Sequence, residues 1–272
     1  MKQNIKKIAT LIILTQVNFY NYGSLNEEQE SLKQQSNKNI FPGETIIATF
    51  KIPETNTQGV FLFGKDTTTS NVKSHIEKII ITAENNNKEI EITDLRKRSN
   101  TYNFPDAGIY IIYYHIKEQE DLSNMFNNCN YLISLDFSNL DYSNIQFINH
   151  LCCNCQNLKK IIFNKHIQSN IVKDMSYMFY NCEKIISINL SSFYTSNCED
   201  MSCMFYGCKS LLKLNIQNFD FSTIINKENF IKGCSSLTEI TIKNTKEKSE
   251  LQQQNNLHAN FKIDNPQICC IV

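Results

Sequence analysis

The chain holds eleven cysteines, and these are the residues whose type and spacing most invite chemistry. Cys129, Cys155, Cys182, Cys208 and Cys234 lie 26, 27, 26 and 26 residues apart. One rung of a repeat apart, such thiols would stack at about the 4.7–4.9 Å spacing of adjacent strands, close enough for bridging. Their place in an apolar stripe argues instead for reduced thiols acting as small core residues. Cys152, Cys153 and Cys155, with His150 beside them, suggest zinc. Their spacing does not make paired C-x-x-C knuckles, and Cys152 and Cys155 belong to the core pattern, so no metal site is expected. Gly59-x4-Gly64-Lys65 approaches a phosphate-binding loop, but Asp66 stands where Ser or Thr should hold magnesium, and the intervening VFLF reads as a strand. Asn189-Leu190-Ser191 is a glycosylation sequon placed in a strand, which makes it a poor acceptor. The histidines form no constellation, and no nucleophile elbow or H-E-x-x-H occurs. No catalytic residue, metal or cofactor is expected.

One cysteine lies outside the ladder's register. Cys269-Cys270-Ile271-Val272 fits the C-a-a-X prenylation signal, which assigns a lipid to Cys269 and a tether to the cytosolic face of a membrane. One lipid without a second signal anchors only marginally. The other end begins MKQNIKK and runs on as IATLIIL, which resembles a short signal peptide without an A-x-A cleavage site. The two ends exclude each other, because prenylation is cytosolic and a cleaved signal exports the chain. A cytoplasmic, membrane-associated protein is the first expectation and a secreted or cell-surface one the alternative.

The elements that carry the cysteines follow a pattern. Three, six and eight residues after each cysteine stand apolar residues, as in Leu132, Leu135 and Phe137 or Ile185, Ile188 and Leu190. Before each lies a second set at i, i+3, i+4 and i+7: Leu122, Met125, Phe126, Cys129, then Ile148, Leu151, Cys152, Cys155. Met175, Met178, Phe179, Cys182 and Met201, Met204, Phe205, Cys208 repeat it, and the last copy has Lys227 in its first slot. The pattern predicts a helical turn followed by a short strand in each unit. One unit cannot bury its apolar face alone, so the units must stack into a solenoid with a parallel sheet on one face.

The phrases DMSYMFYNCEKIISINLSSF (174–193) and DMSCMFYGCKSLLKLNIQNF (200–219) resemble the BspA-like class of leucine-rich repeat. The resemblance covers about 120–243 and weakens at INHLCCNC and NFIKGC. It implies binding or adhesion, often without a defined ligand, and no enzyme; bacterial members are surface proteins.

The fold expected is therefore α+β, a β-rich capping domain followed by a short leucine-rich-repeat solenoid. Residues 1–40 are an N-terminal segment and linker, 41–118 the β-rich domain, 119–243 the repeats, and 244–272 a polar tail read as a short helix or disorder. Strands are expected at 46–52, 60–63, 77–82, 88–93 and 108–116. Ile109 and Ile111 fall on the core slots of a preceding unit, so 108–116 is expected to be the first rung, covering the solenoid's open edge. Lys+Arg and Asp+Glu are equal at 27 each, which gives no basic excess for nucleic acid.

The outward positions of the repeat strands are the candidate binding face for a protein partner: Ser134, Asp136, Lys160, Ile162, Ser187, Asn189, Lys213, Asn215, Gln217, Glu239 and Thr241. Concave solenoid faces are used for recognition in this way.

Overall fold

The computed structural model describes residues 44–55, 57–64, 76–84, 89–93, 95, 100–117, 120–165, 171–243, 248–249, 251–252 and 259–263. Apart from Glu44 these belong to one compact unit, Thr45–Val272. Its strands are β1 (Glu44–Ile52), β2 (Val60–Phe61), β3 (Ile76–Ala83), β4 (Glu89–Ile92), β5 (Thr101–Tyr102), β6 (Gly108–Ile116), β7 (Leu132–Asn139), β8 (Lys160–Phe163), β9 (Ser187–Asn189), β10 (Lys213–Asn215), β11 (Glu239–Ile242) and β12 (Asn260–Ile263). One sheet runs β4-β3-β6-β1-β7-β8, another runs β12-β11-β10-β9, and β2 pairs with β5.

From residue 120 the chain winds as a β-solenoid of about four turns. Parallel bridges step from Asp121 to Phe147, Asp174, Asp200 and Asn226. The apolar slots read from the sequence all face the interior: Leu135, Ile161, Ile188, Leu214 and Ile240 are buried, as are Phe137, Phe163, Leu190, Ile216 and Ile242.

The stripe before each cysteine is not helical. Left-handed residues recur four apart in every coil: Asn124 and Asn128, His150 and Asn154, Tyr177 and Asn181, Cys203 and Gly207, Asn229 and Gly233. They break an α-helix but leave the same residues facing inward, so turns and a helix give one apolar pattern. The hydrogen bonds show which wins. Asn124, Phe126 and Asn128 donate their N–H groups to the next coil at Asn149, Leu151 and Cys153 (2.8–3.0 Å). Met125, Asn127 and Cys129 close turns on Leu122, Asn124 and Phe126 within their own coil. Every second amide thus joins coil to coil, which an α-helix cannot do. Helix among the described residues is confined to 248–249 and 251–252, so the α+β expectation gives way to a sheet-rich fold.

The first rung also differs. β1, not β6, lies beside β7, pairing antiparallel with Ala48 opposite Leu135. β6 is one strand further away, between β3 and β1. Its inward residues are Tyr110, Ile112 and Tyr114, the opposite parity to Ile109 and Ile111. A strand with apolar residues on both faces leaves its register open in sequence, and one residue of slip exchanges the faces. The N-terminal β region and the first coils share one sheet and one core. Rings run through it from Phe63 to Tyr114 (5.5 Å), Phe126 (5.4 Å), Phe137 (6.3 Å) and Phe163 (5.4 Å).

Gly64, the glycine of the near-miss phosphate loop, seals this junction. Its N–H donates to Met125 O at 3.0 Å, and a Cβ there would stand 2.0 Å from Asn124 O. It is a packing glycine at the start of the solenoid. At the other end the tail supplies an unforeseen rung, β12, parallel to β11 with Ile240 opposite Phe261.

Candidate functional site: the outer face of the repeat sheet

The outer face is built from two columns of side chains. β7 and β8 set Ser134 opposite Lys160 and Asp136 opposite Ile162. β9, β10 and β11 align Ser187, Lys213 and Glu239, and beside them Asn189, Asn215 and Thr241. None of these side chains is buried, and Gln217 follows at the end of the second column. The candidate residues therefore fall into two blocks, because β8 and β9 end different sheets. The break falls at the one 27-residue step of the ladder, from Cys155 to Cys182.

Several of these residues already serve the fold. Asp136 Oδ1 accepts the Ser138 N–H (2.8 Å), Asn189 Oδ1 that of Ser191 (3.0 Å), and Asn215 Oδ1 that of Gln217 (3.1 Å). These are side-chain turns, at the ends of β9 and β10 and within the last residues of β7. They also account for the sequon, since Asn-x-Ser at 189–191 occupies the place of Asp-x-Ser at 136–138. Glu239 takes Lys262 at 3.1 Å and Lys213 at 3.9 Å. Exposed pairs of this kind contribute about 0–1 kcal/mol.

What the sequence reading missed is an exposed apolar pair just before β9 and β10. Ile186 is 51% exposed and Leu212 41%, and the Leu212 N–H donates to Ile186 O at 2.8 Å. They lie side by side four residues after Cys182 and Cys208, where Lys159 and Thr238 stand in the flanking coils. The signal was present as two adjacent apolar letters in a slot that is otherwise polar.

The turn side carries a second missed feature. His150 stacks on Tyr177 (4.7 Å, 7°), Tyr177 meets Tyr180 (5.4 Å), and Tyr180 stacks on Tyr206 (5.0 Å, 12°). All four rings are half-buried. His150 and Tyr177 hold left-handed backbone, which bulky residues rarely adopt.

The cysteine ladder has a role the sequence did not show. Cys155 Sγ donates to Phe126 O (2.9 Å), Cys182 to Cys152 O (3.1 Å), Cys208 to Phe179 O (3.1 Å) and Cys234 to Phe205 O (3.0 Å). Each thiol ties its coil to the one before. Burial holds the thiols of Cys129, Cys152, Cys182 and Cys208 well above their ordinary range, and pushes those of Cys153 and Cys198 up to about 12. Such thiols are poor nucleophiles. The nine described cysteines are not joined in disulfides. Among the described residues no group of three or more His, Cys, Asp or Glu is placed to hold a metal ion, and no helix is long and apolar enough to cross a membrane. Lys65, Asp66, Cys269 and residues 1–23 lie outside the described residues.

No curated protein and no solved structure matches the chain. Residues 120–244 match a family model described as "Mycoplasma protein of unknown function, DUF285". The matched stretch begins beside the first bridge, at Asp121, and ends just after β11. The similarity is thus confined to the solenoid, and the function of the matching family is unknown.

Proposed function

We propose that the chain is a non-enzymatic interaction module that binds a protein partner through the outer face of its repeat sheet. The observation that carries this reading is the exposed Ile186–Leu212 pair set among aligned polar columns. Exposed apolar side chains held side by side where two paired strands begin, next to polar columns, have the composition of an interface centre and rim. The BspA-like leucine-rich-repeat resemblance supports the same reading. The Cys269 signal supports a prenyl tether and a cytoplasmic, membrane-associated location, and the resemblance to surface proteins supports secretion or the cell surface instead.

The test is capture of partners from an extract of the source cells with the native chain and with an Ile186→Asp, Leu212→Asp variant. Specific partners retained by the native chain and lost by the variant, with unchanged melting behaviour, are the expected result. Equal capture by both overturns the assignment of this face. Labelling with a prenyl analogue, lost in Cys269→Ser, tests the tether, and no incorporation into the native chain removes it.

A further inference from the structure

We propose that Cys234 and Cys208 are an oxidation-responsive pair. A small disulfide of the glutathione kind reacts at Cys234, and a bridge from Cys234 to Cys208 then staples the last repeat coil to the one before it.

The residues on either side of the two cysteines are in register. Gly207 donates its N–H to Lys232 O at 2.9 Å, and a Cβ on Gly233 would stand 3.3 Å from the Gly207 Cα. Beyond the cysteines, Ser235 Oγ donates to Lys209 O at 3.4 Å. Cys208 and Cys234 are thus opposite each other one rung apart, at about the 4.8 Å spacing of parallel strands. A disulfide joins residues whose Cα atoms are about 4.4–6.8 Å apart, so this spacing admits a bridge. The side chains converge as well. Phe205 O accepts both the Cys208 N–H at 3.2 Å and the Cys234 S–H at 3.0 Å. The Cys234 thiol lies within hydrogen-bonding reach of the Cys208 thiol.

The spacing recurs down the ladder, and access decides between the pairs. Cys129, Cys155, Cys182 and Cys208 are fully buried, whereas Cys234 is only partly covered. Cys152 lies within similar reach of Cys155, but neither is exposed. Position in the solenoid explains the difference. Cys203, Phe205 and Gly207 donate their N–H groups forward to Glu228, Phe230 and Lys232. Asn229, Ile231 and Gly233 hold the same places in the last coil, and their N–H groups have no acceptor among the described residues. The last turn segment is therefore held from one side, and opening it breaks fewer hydrogen bonds than opening an earlier one. Cys234 stands at the end of that segment.

The chemistry is thiol–disulfide exchange in two steps. The Cys234 sulfur gives its proton to solvent and attacks one sulfur of the small disulfide. That S–S bond breaks, and one small thiol leaves with a proton. The Cys208 sulfur then loses its proton and attacks the Cys234 sulfur, releasing the second small thiol. Two protein thiols are oxidised and one small disulfide is reduced to two thiols. The bridge closes a covalent ring around the 26-residue step that contains β10. Such a ring restricts the unfolded chain and so favours the folded one. The pair is open in a reducing compartment and closed in an oxidising one.

The experiment incubates the reduced, folded full chain with glutathione disulfide at about pH 8, near the ordinary thiol pKa. Remaining thiols are then alkylated, and bridges are mapped by fragmentation of peptides. The native chain is expected to gain a Cys208–Cys234 bridge and to melt several degrees higher than the reduced chain, with both changes reversed by dithiothreitol. Cys234→Ser should form no bridge to Cys208, and oxidation should leave its melting unchanged. Cys208→Ala should stop at a glutathione adduct on Cys234. A native chain whose Cys234 stays free, or stops at the adduct, overturns the proposal. So does a bridge from Cys234 to any other cysteine, a Cys208–Cys234 bridge that forms only in urea, or one that leaves the melting temperature where it was. The map of the native chain decides even if Cys208→Ala does not fold.

Discussion

Cys182 is fully buried and gives its S–H to the carbonyl of Cys152, which already accepts the Cys155 N–H. The thiol is small enough for the stacked core and can still donate a hydrogen bond. Its neighbours in the ladder are equally enclosed, except that Cys234 in the last coil is only partly covered. Alkylation of the native chain with iodoacetamide, followed by peptide mapping, should modify Cys234 long before Cys129, Cys182 or Cys208. Equal rates along the ladder would contradict this burial. His115 offers a second residue-level test. It is buried between β3 and β1, with Thr45 Oγ1 3.4 Å from its Nδ1. Burial, aided by nearby Lys78, holds its pKa below the ordinary 6.5, against the opposing pull of Glu77 and Glu91. Protonation therefore favours the unfolded chain. The stability involved is present above about pH 6.5 and is lost as the pH falls below it. The difference in melting temperature between the native chain and His115→Gln should narrow between neutral pH and pH near 5; a constant difference would remove His115 as the cause.

At the scale of the element, the turn segment is the part whose conformation the sequence left ambiguous. Met175, Met178, Phe179 and Cys182 satisfy a helical stripe, yet Tyr177 and Asn181 are left-handed. Nothing in the spacing separates the two conformations. The second left-handed slot holds Asn128, Asn154, Asn181, Gly207 and Gly233, residues that accept this backbone more readily than most, and that column was the legible clue. Strand parity was readable for β7 to β11 because one face is polar, and unreadable for β6 because neither is. β12 escaped because NFKI carries no repeat signature; only a preceding strand to pair with makes it a rung. Gly207 gives a direct test of the slot. It has φ +72°, and a Cβ would lie 2.4 Å from Asn181 Oδ1. Gly207→Ala should cost about 1–3 kcal/mol by urea unfolding. Gly59→Ala meets nothing within 4 Å at a similar φ and should cost less, so equal losses would mean that the crowding at Gly207 is relieved without penalty.

At the scale of the molecule, the N-terminal sheet and the first coils are one body. β1 covers the edge of β7, the Tyr114 hydroxyl donates to Leu62 O at 2.9 Å, and the Tyr114 ring packs on Phe126. A single apolar core extends from Ile46 to Ala259. The solenoid should therefore not be separable from what precedes it. A fragment of 119–272 exposes the β7 edge and half of the Phe126 packing, and is expected to aggregate or to unfold without a cooperative transition. The whole chain should show coincident transitions by circular dichroism and by tyrosine fluorescence. A fragment melting sharply near the temperature of the whole chain would refute the shared core.

The turn-side ladder also gives the molecule an electrical direction. Within the turn segments the amides that leave each coil donate forward, from Asn124 to Asn149, from His150 to Ser176, from Tyr177 to Ser202 and from Cys203 to Glu228, and they outnumber those just before the segments that donate back, as from Lys173 to Gln146. Their peptide dipoles, about 3.5 D each, line up along the solenoid axis and do not cancel as they do in a sheet. An α-helix has its positive pole where the chain begins. Here the positive pole lies at the coil where the repeats end.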